Sequence, residues 1–194
     1  MAPVPDRFPP SNPLPSGLAP AVASRPLEVR VSLDYHNTLN CEVAGASTYD
    51  GIRTSAANAI ASFLARSPNH QVGICSYIGW GGRNSGQKRR ELEAAVTYLN
   101  RQLQNRGIPL NQLCHLFITS DQNKHPVNSD SCHLRCDDKW SVIQAVQGRG
   151  VVGVHFHRQG QFQDIDQVLR HASSQLVPRA FTAGFWGVPH HSYD

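Results

Sequence analysis

Polar side chains follow directly after several short apolar segments of this sequence. Asp34 follows the first such segment, and Ser76 follows the second. Lys124 lies in the loop after the third segment, and Asp137 and Asp138 follow the fourth. Carboxylates, a hydroxyl and an amine are groups that transfer protons and bind ions. Because ligands of open α/β sheets bind at the carboxyl ends of the strands, the order predicts that these side chains share one site.

The segments that must position these residues alternate between strand-like and helical patterns. Apolar, β-branched runs predict strands at 27–33, 71–75, 113–119, 132–136 and 151–156. Apolar residues at helical spacing predict helices at 49–65, 87–106, 139–147 and 164–176. In the third helix the spacing places Trp140, Ile143 and Val146 on one side. The alternation predicts parallel pairing, and hence a three-layer α/β/α Rossmann-like sandwich with a mainly parallel sheet of about five strands.

Proline usage divides the chain into three parts. Residues 1–26 carry so many prolines that neither helix nor sheet can continue through them, which predicts a disordered leader. Residues 27–177 hold the alternating elements and are predicted to form one α/β domain. Residues 178–194, rich in Gly, Pro, His and aromatic residues, are predicted to be a C-terminal tail or packing strap.

Composition limits the classes of partner and the compartment. The formal net charge is +4, without a run of five or six like charges, so an anionic substrate is permitted, an ordinary solvated surface is the simpler interpretation, and a nucleic-acid partner has only weak support. Residues 1–26 lack the apolar segment of a signal peptide, and no stretch approaches the length of a membrane span. The five cysteines are an odd number, which favours a reducing compartment. We therefore expect a cytoplasmic protein without a membrane partner; the sequence does not distinguish cytoplasm from nucleus.

Three of the segments carry motifs in the order of a known family. The run VSLDYHNTL, residues 31–39, is similar to an apolar strand followed by Asp-x-Asp-Gly-Thr-Leu. The run VGICSYIG is similar to a strand that ends in Ser or Thr. The run HLRCDDKWSVIQAVQGRGVVGVHF places an acidic pair between a strand and a helix. Together these runs resemble the signatures of the haloacid dehalogenase-like hydrolase superfamily over roughly residues 29–156.

The resemblance implies roles for individual residues. Asp34 would attack a phosphoryl group and bind Mg²⁺, and His36 stands at the position of the general acid and base. Ser76 would hold the phosphate, as would Lys124, for which Lys139 is the alternative. Thr38 matches the motif and would bind phosphate, and Asp137 and Asp138, with Asp34, would bind Mg²⁺. Arg83, in a basic loop outside these motifs, is a further candidate for phosphate binding.

Two departures from the family pattern leave two functions open. His36 replaces the second Asp, and Asn37 replaces a Gly that would allow backbone freedom after the nucleophile. One expectation is a magnesium-dependent phosphatase that acts through an aspartyl-phosphate. The other is a catalytically degenerate binding or interaction module, including one within a larger polyprotein.

The absence of a cap domain bears on the substrate. The loops at 40–48 and 120–131 are too short to hold a cap, and capless members of the family act on large or exposed phosphorylated substrates, including macromolecules. The loop at 80–90 carries Arg83, Lys88, Arg89 and Arg90 and is either a contact for an anionic substrate or an ordinary solvated start of a helix.

Two other chemistries are disfavoured. In the run CHLRC, strand alternation would point Cys132 and Cys136 to one face and His133 to the other, which argues against a zinc site. Cys75 is followed by Arg83 eight positions later, a longer spacing than the phosphate-binding loop of cysteine phosphatases has.

Overall fold

Strands and helices alternate along the chain in the computed structural model, which describes residues 29–40, 48–49, 51–79, 84–124, 132–147, 149–157, 164–174 and 191–193. The strands are β1 (Arg30–Asp34), β2 (Thr48–Tyr49), β3 (Ile52–Arg53), β4 (Gln71–Tyr77), β5 (His115–Thr119), β6 (Leu134–Asp137), β7 (Val152–His155) and β8 (His191–Tyr193). The helices are α1 (Thr54–Ala65), α2 (Ser85–Asn105), α3 (Trp140–Val146) and α4 (Ile165–Ser174), with a short 3₁₀ turn at Leu110–Gln112. The predicted leader (residues 1–26), Arg83 and most of the predicted tail lie outside the described residues.

Six of the strands form one sheet in the order β7-β6-β1-β4-β5-β8, and every neighbouring pair is parallel. This arrangement confirms the predicted Rossmann-like α/β class. The edge strand β8 pairs with β5. It lies within residues 178–194, for which the sequence predicts a tail or packing strap. None of the described helices has the length and apolarity that crossing a bilayer requires.

The two faces of the sheet differ in character. One face carries apolar residues such as Leu33, Ile74 and Leu116, which are neighbours in the strand register. These residues pack in one core with the buried sides of α1, α2 and α4. The opposite face packs against α3 in a smaller cluster that includes Cys75, Phe117 and Val146. This second face also carries Ser32, Asp34, Arg135 and Asp137, which are described below.

The direction in which successive strands are added to the sheet reverses beside β1. From β1 the chain proceeds to β4 and β5 on one side, and it then returns to β6 and β7 on the other side. The crevice outside the carboxyl ends of strands at such a switch is the usual ligand site of doubly wound sheets. Asp34 ends β1 and Asp137 ends β6, so both lie at this point.

The prediction of a helix from residue 49 is wrong for its first turn. Thr48–Tyr49 and Ile52–Arg53 instead form an antiparallel hairpin, and α1 begins at Thr54. Gly51 adopts a φ of 94°, which favours glycine, and the Asp50-Gly51 dipeptide is a strong hairpin signal. The hairpin is anchored because Arg53 donates a hydrogen bond from Nη2 to the backbone oxygen of Thr38 at 2.8 Å.

The buried side of α3 also differs from the prediction. Val142, Ile143 and Val146 are buried, whereas the side chain of Trp140 is 49% exposed and contacts the edge of His155, with ring centroids 5.4 Å apart. Trp140 is the first residue of this short helix, and its ring contacts His155 and is not part of the buried side.

The described cysteines are buried thiols. Cys75, Cys114, Cys132 and Cys136 are free and buried. Burial raises the pKa of Cys114 to about 12 and raises the pKa of Cys75 as well. A thiol with a raised pKa is a poor nucleophile at neutral pH, which further disfavours Cys75 in that role.

Close packing between α3 and the sheet leads to a stability prediction. A Cβ at Gly153 would lie 2.9 Å from Cγ2 of Ile143 and 3.1 Å from Cγ2 of Val146. We expect Gly153→Ala to lower the free energy of unfolding by about 1–3 kcal/mol, because α3 must move away from the strand. Urea unfolding followed by circular dichroism measures the change.

A second glycine provides the matched control. A Cβ at Gly86 in α2 would have only Arg90 within 4 Å, at 3.7 Å. Gly86→Ala should therefore raise stability by about 0.5–1 kcal/mol, as is usual in an exposed helix. Equal effects of the two substitutions would contradict the tight packing of α3.

Candidate active site

Asp34 lies at the carboxyl end of the central strand and is almost fully buried, at 2% exposure. Its Oδ1 accepts a hydrogen bond from Lys124 Nζ at 2.5 Å, and the same amine donates to Asp137 Oδ2 at 2.7 Å. The hydroxyl of Thr38 lies 3.4 Å from Asp34 Oδ2, a long hydrogen bond. Lys124 thus links the ends of β1 and β6.

Asp137 has a second buried cation as a partner. Arg135 is fully buried, and its Nη2 donates to Asp137 Oδ2 at 2.5 Å while its Nη1 donates to Ser32 Oγ at 2.6 Å. The backbone amide of Lys139 donates to Asp137 Oδ1 at 3.0 Å. Both oxygens of Asp137 are therefore bonded within the chain. Two carboxylates and two cations balance each other in this buried network of Asp34, Asp137, Lys124 and Arg135.

The two carboxyls of the network respond to burial differently. Burial raises the pKa of Asp34 to about 7, even though the charges of Lys124 and Arg135 oppose the rise. For Asp137, burial also favours the neutral form, but Arg135 and Lys124 more than offset it and hold the pKa below its ordinary value. Asp137 is the carboxylate that the network keeps ionised.

Unusual backbone geometry occurs at two site residues. Asn37 has a φ of 58° and Lys124 a φ of 54°, and they are the described non-glycine residues with positive φ. Asn37 occupies the position at which the family pattern has Gly, and Asn is among the residues that tolerate this conformation best. The sequence suggested a loss of backbone freedom at Asn37, but the left-handed conformation is retained. The φ of Lys124 costs energy, and the bonds from its amine to two buried carboxylates offset that cost.

His36 and Ser76 form a hydrogen-bonded pair. His36 Nδ1 lies 2.9 Å from Ser76 Oγ, and Ser76 is fully buried at the end of β4. Burial lowers the pKa of His36, and the nearby positive charges of Lys88 and Lys124 add to the effect. The imidazole is therefore neutral at pH 7, and the pair sets which nitrogen holds the proton.

Asp138 is held at the edge of the site by contacts on two sides. Its Oδ2 accepts a hydrogen bond from Asn37 Nδ2 at 2.9 Å, and its backbone oxygen lies 2.9 Å from His155 Nε2. Asp138 is only partly buried, so this carboxylate borders the open space above Asp34.

An open cleft of about 350 Å³ connects these groups. The residues that line it are Asp34, His36, Asn37, Tyr77, Lys88, Lys124, Asp138 and Lys139. The fold therefore brings together most of the residues singled out in the sequence: Asp34, His36, Thr38, Ser76, Lys124, Asp137 and Asp138. Lys124 contacts Asp34, whereas Lys139 lies on the rim of the cleft.

Sequence reasoning missed Arg135, and it treated Lys88 only as part of a basic loop. A charged residue at the centre of a short apolar strand is a sign of a buried partner, and the run LRCDD carried that sign. No pattern in the sequence indicated that Lys88 faces the cleft, because that depends on how α2 is oriented.

The acidic residues fit a magnesium ion by the chemistry of their donors. Oxygens of Asp34, Asp137 and Asp138 lie within 4.8 Å of one another. Mg²⁺ takes oxygen ligands and often needs only one or two carboxylates besides water and phosphate. Asp137 does not line the cleft and its oxygens accept three hydrogen bonds, whereas Asp34 and Asp138 border the open space. Asp34 and Asp138 are therefore the better direct ligands, and Asp137 is better suited to hold Lys124.

A scan of the sequence against protein-family models finds no match, and a search of curated protein sequences finds no significant match either. The likeness to the haloacid dehalogenase-like superfamily therefore stays a resemblance of motifs.

The buried pair of Arg135 and Asp137 gives a prediction for stability. Arg135→Met leaves Asp137 buried beside one cation fewer, so we expect a loss of about 3–5 kcal/mol at pH 7. Asp137 has a lower pKa in the folded than in the unfolded chain, so its ionised form stabilises the fold at pH values above the unfolded pKa. This stabilisation is lost as the pH falls through the folded pKa. The difference between Arg135→Met and wild type should hence shrink below about pH 4.

Denaturant unfolding of both proteins from pH 3 to pH 8 measures this difference. Arg149→Met, which removes an exposed Arg outside the network, is the control and should stay within about 0.5 kcal/mol of wild type. A deficit of Arg135→Met that is constant with pH would show that lost packing, and not the charge pair, is responsible.

Proposed function

We propose that this chain is a magnesium-dependent phosphohydrolase in which Asp34 attacks the phosphoryl group of a large or exposed phosphorylated substrate. The observation that carries the proposal is the bond of 2.5 Å between Asp34 Oδ1 and Lys124 Nζ at the base of an open cleft. A carboxylate can approach a phosphate dianion only if positive charge offsets their repulsion, and the amine of Lys124 supplies such charge. The cleft has no described segment across its mouth that would limit the size of the substrate.

The reaction proceeds in two displacements at phosphorus. In the first, an oxygen of Asp34 forms a bond to phosphorus while the bond from phosphorus to the ester oxygen breaks, which gives an aspartyl-phosphate and releases an alkoxide or phenolate that takes a proton from water. In the second, water forms a bond to phosphorus and gives up a proton, the bond to Asp34 breaks, and inorganic phosphate departs. Magnesium bound by the carboxylates would supply charge that offsets the phosphate dianion.

His36 is better suited to the second displacement than to the first. Its lowered pKa means that the imidazole is neutral at pH 7 and can accept a proton from water. When Nδ1 donates to Ser76 Oγ, the other nitrogen, Nε2, is the unprotonated one. A neutral imidazole is a weak acid, so the first displacement favours leaving groups that depart without protonation, such as phenolates.

A binding or interaction module without turnover is the second candidate, as a domain on its own or within a larger polyprotein. The observation that favours it is the satisfied state of Asp137, whose oxygens accept hydrogen bonds from Lys124, Arg135 and the amide of Lys139. Lys124 and Arg135 offset the charges of Asp34 and Asp137 within the chain itself. In this case the cleft would bind an anionic group of a partner and leave it unchanged.

Hydrolysis of p-nitrophenyl phosphate with and without Mg²⁺ tests the first proposal. We expect magnesium-dependent turnover that falls by about 10³-fold or more in Asp34→Asn, because the amide is not a nucleophile. Asp164→Asn is the matched control: it makes the same substitution at an exposed residue whose Oδ1 accepts a hydrogen bond from Asp166, and turnover should be unchanged.

Circular dichroism of Asp34→Asn establishes that the variant is folded. Turnover retained in folded Asp34→Asn would rule out Asp34 as the nucleophile. If the wild type is inactive on p-nitrophenyl phosphate, on phosphopeptides and on phosphorylated nucleic-acid ends, the binding module becomes the preferred function.

The assignment of His36 is tested by rapid kinetics. In His36→Asn we expect the second displacement to be slowed by about 10²-fold, the usual effect of removing a general base. The aspartyl-phosphate should then accumulate, and mixing with p-nitrophenyl phosphate should give a burst of one equivalent of p-nitrophenolate. Slower turnover without a burst would mean that His36 acts in the first displacement.

A further inference from the structure

Two lysines on the rim of the cleft have no role in the two displacements. Lys88, in the first turn of α2, and Lys139, just before α3, line the cleft together with Asp34 and Lys124. Both are exposed, and among the described residues neither has a carboxylate partner within ion-pair distance. The amine of Lys139 lies 5.4 Å from the ring centroid of Tyr77, which holds it on the wall of the cleft.

The charges of the cleft are unequal. Lys124 is bonded to Asp34 within the balanced network. Of the other charged residues described along the cleft, Lys88 and Lys139 are positive and only Asp138 is negative. If Asp138 binds a cation, the positive excess grows. With a divalent cation at Asp138, this positive excess is larger than one phosphate dianion neutralises.

The start of α2 adds positive charge at the same place. Its first turn has no acidic residue, although acidic residues stabilise this end of a helix and lysines oppose its dipole. Arg89 next to Lys88 is compensated by an ion pair with Glu93 at 3.0 Å. The charge of Lys88 is the one in this turn that faces the cleft, and an anion bound there would offset it.

The cleft has room for more than one phosphate group. Its volume is about 350 Å³, whereas a water molecule occupies about 30 Å³ of liquid and a phosphate only a few times more. The opening above Asp34 thus extends well beyond a single phosphoryl group, toward the two rim lysines.

We propose that the substrate carries a second phosphate group beside the one that is cleaved, and that Lys88 and Lys139 bind this second group. The inference rests on the proposed function, because it assigns the first phosphate to the site at Asp34. It names the substrate class as a phosphomonoester with a neighbouring phosphate. Lys88 and Lys139 then determine specificity, while Lys124 serves the reacting group.

Binding of inorganic phosphate and pyrophosphate tests the inference without turnover. Both anions are titrated by calorimetry into Asp34→Asn, and into wild type in parallel, in metal-free buffer of constant ionic strength. We expect pyrophosphate to bind about tenfold more tightly than phosphate, since it also reaches the rim lysines. Adding Lys88→Gln or Lys139→Gln should weaken pyrophosphate binding about fivefold and phosphate binding less than about twofold.

Arg89→Gln is the matched control. It removes the same charge from the adjacent position of α2, but from a residue that pairs with Glu93 and does not line the cleft. It should change neither affinity by more than about twofold. Equal weakening by Arg89→Gln and Lys88→Gln would overturn the inference in favour of diffuse attraction, as would equal affinity for the two anions or no binding of either.

The outcomes separate this inference from the proposed reaction. Loss of pyrophosphate selectivity in Lys88→Gln, together with an inactive wild type, would leave the second phosphate subsite in place and reject hydrolysis. Turnover that depends on Asp34 without any selectivity for pyrophosphate would reject the subsite and leave hydrolysis in place. If Asp34→Asn does not fold, the titrations of wild type and its lysine variants carry the test.

Discussion

A buried network of four charges is the constraint on which the rest of the site depends. Asp34, Asp137, Lys124 and Arg135 are removed from water at the carboxyl ends of β1 and β6, so each charge must have an opposite partner. This requirement ties three parts of the chain together, because Lys124 comes from the loop after β5. Lys124 has a positive φ there, and the bonds from its amine to both carboxylates offset the cost of that backbone conformation.

The same network divides the carboxylates by task. Asp137 uses both oxygens within the chain and remains ionised, whereas Asp34 shares a single lysine and Asp138 borders the cleft. Asp137 is thus structural, whereas Asp34 and Asp138 line the cleft. This arrangement is compatible with both proposed functions, metal-assisted phosphoryl transfer and anion binding.

Local patterns were sufficient for most of the fold, and they failed where two signals competed. Alternating apolar runs gave the five predicted strands and their parallel class, since strand and helix periods are properties of short segments. At residues 48–53 helical spacing competed with the Asp50-Gly51 turn signal, and the turn prevailed because Arg53 gains a buried hydrogen bond to Thr38. The pairing of β8 with β5 is a long-range contact that no local pattern contains.

The sequence by itself determined which residues end the strands, and therefore that Asp34, Ser76 and Asp137 meet at one edge of the sheet. That result follows from chain order, because parallel strands align their carboxyl ends. Only the tertiary structure decided that Lys124 rather than Lys139 contacts Asp34, and that Arg135 neutralises Asp137. An unpaired charge is costly in the protein interior, so each buried charge needs an opposite charge nearby. Which residue supplies it depends on which distant segments meet in the folded chain, and the spacing of residues in the sequence does not specify that.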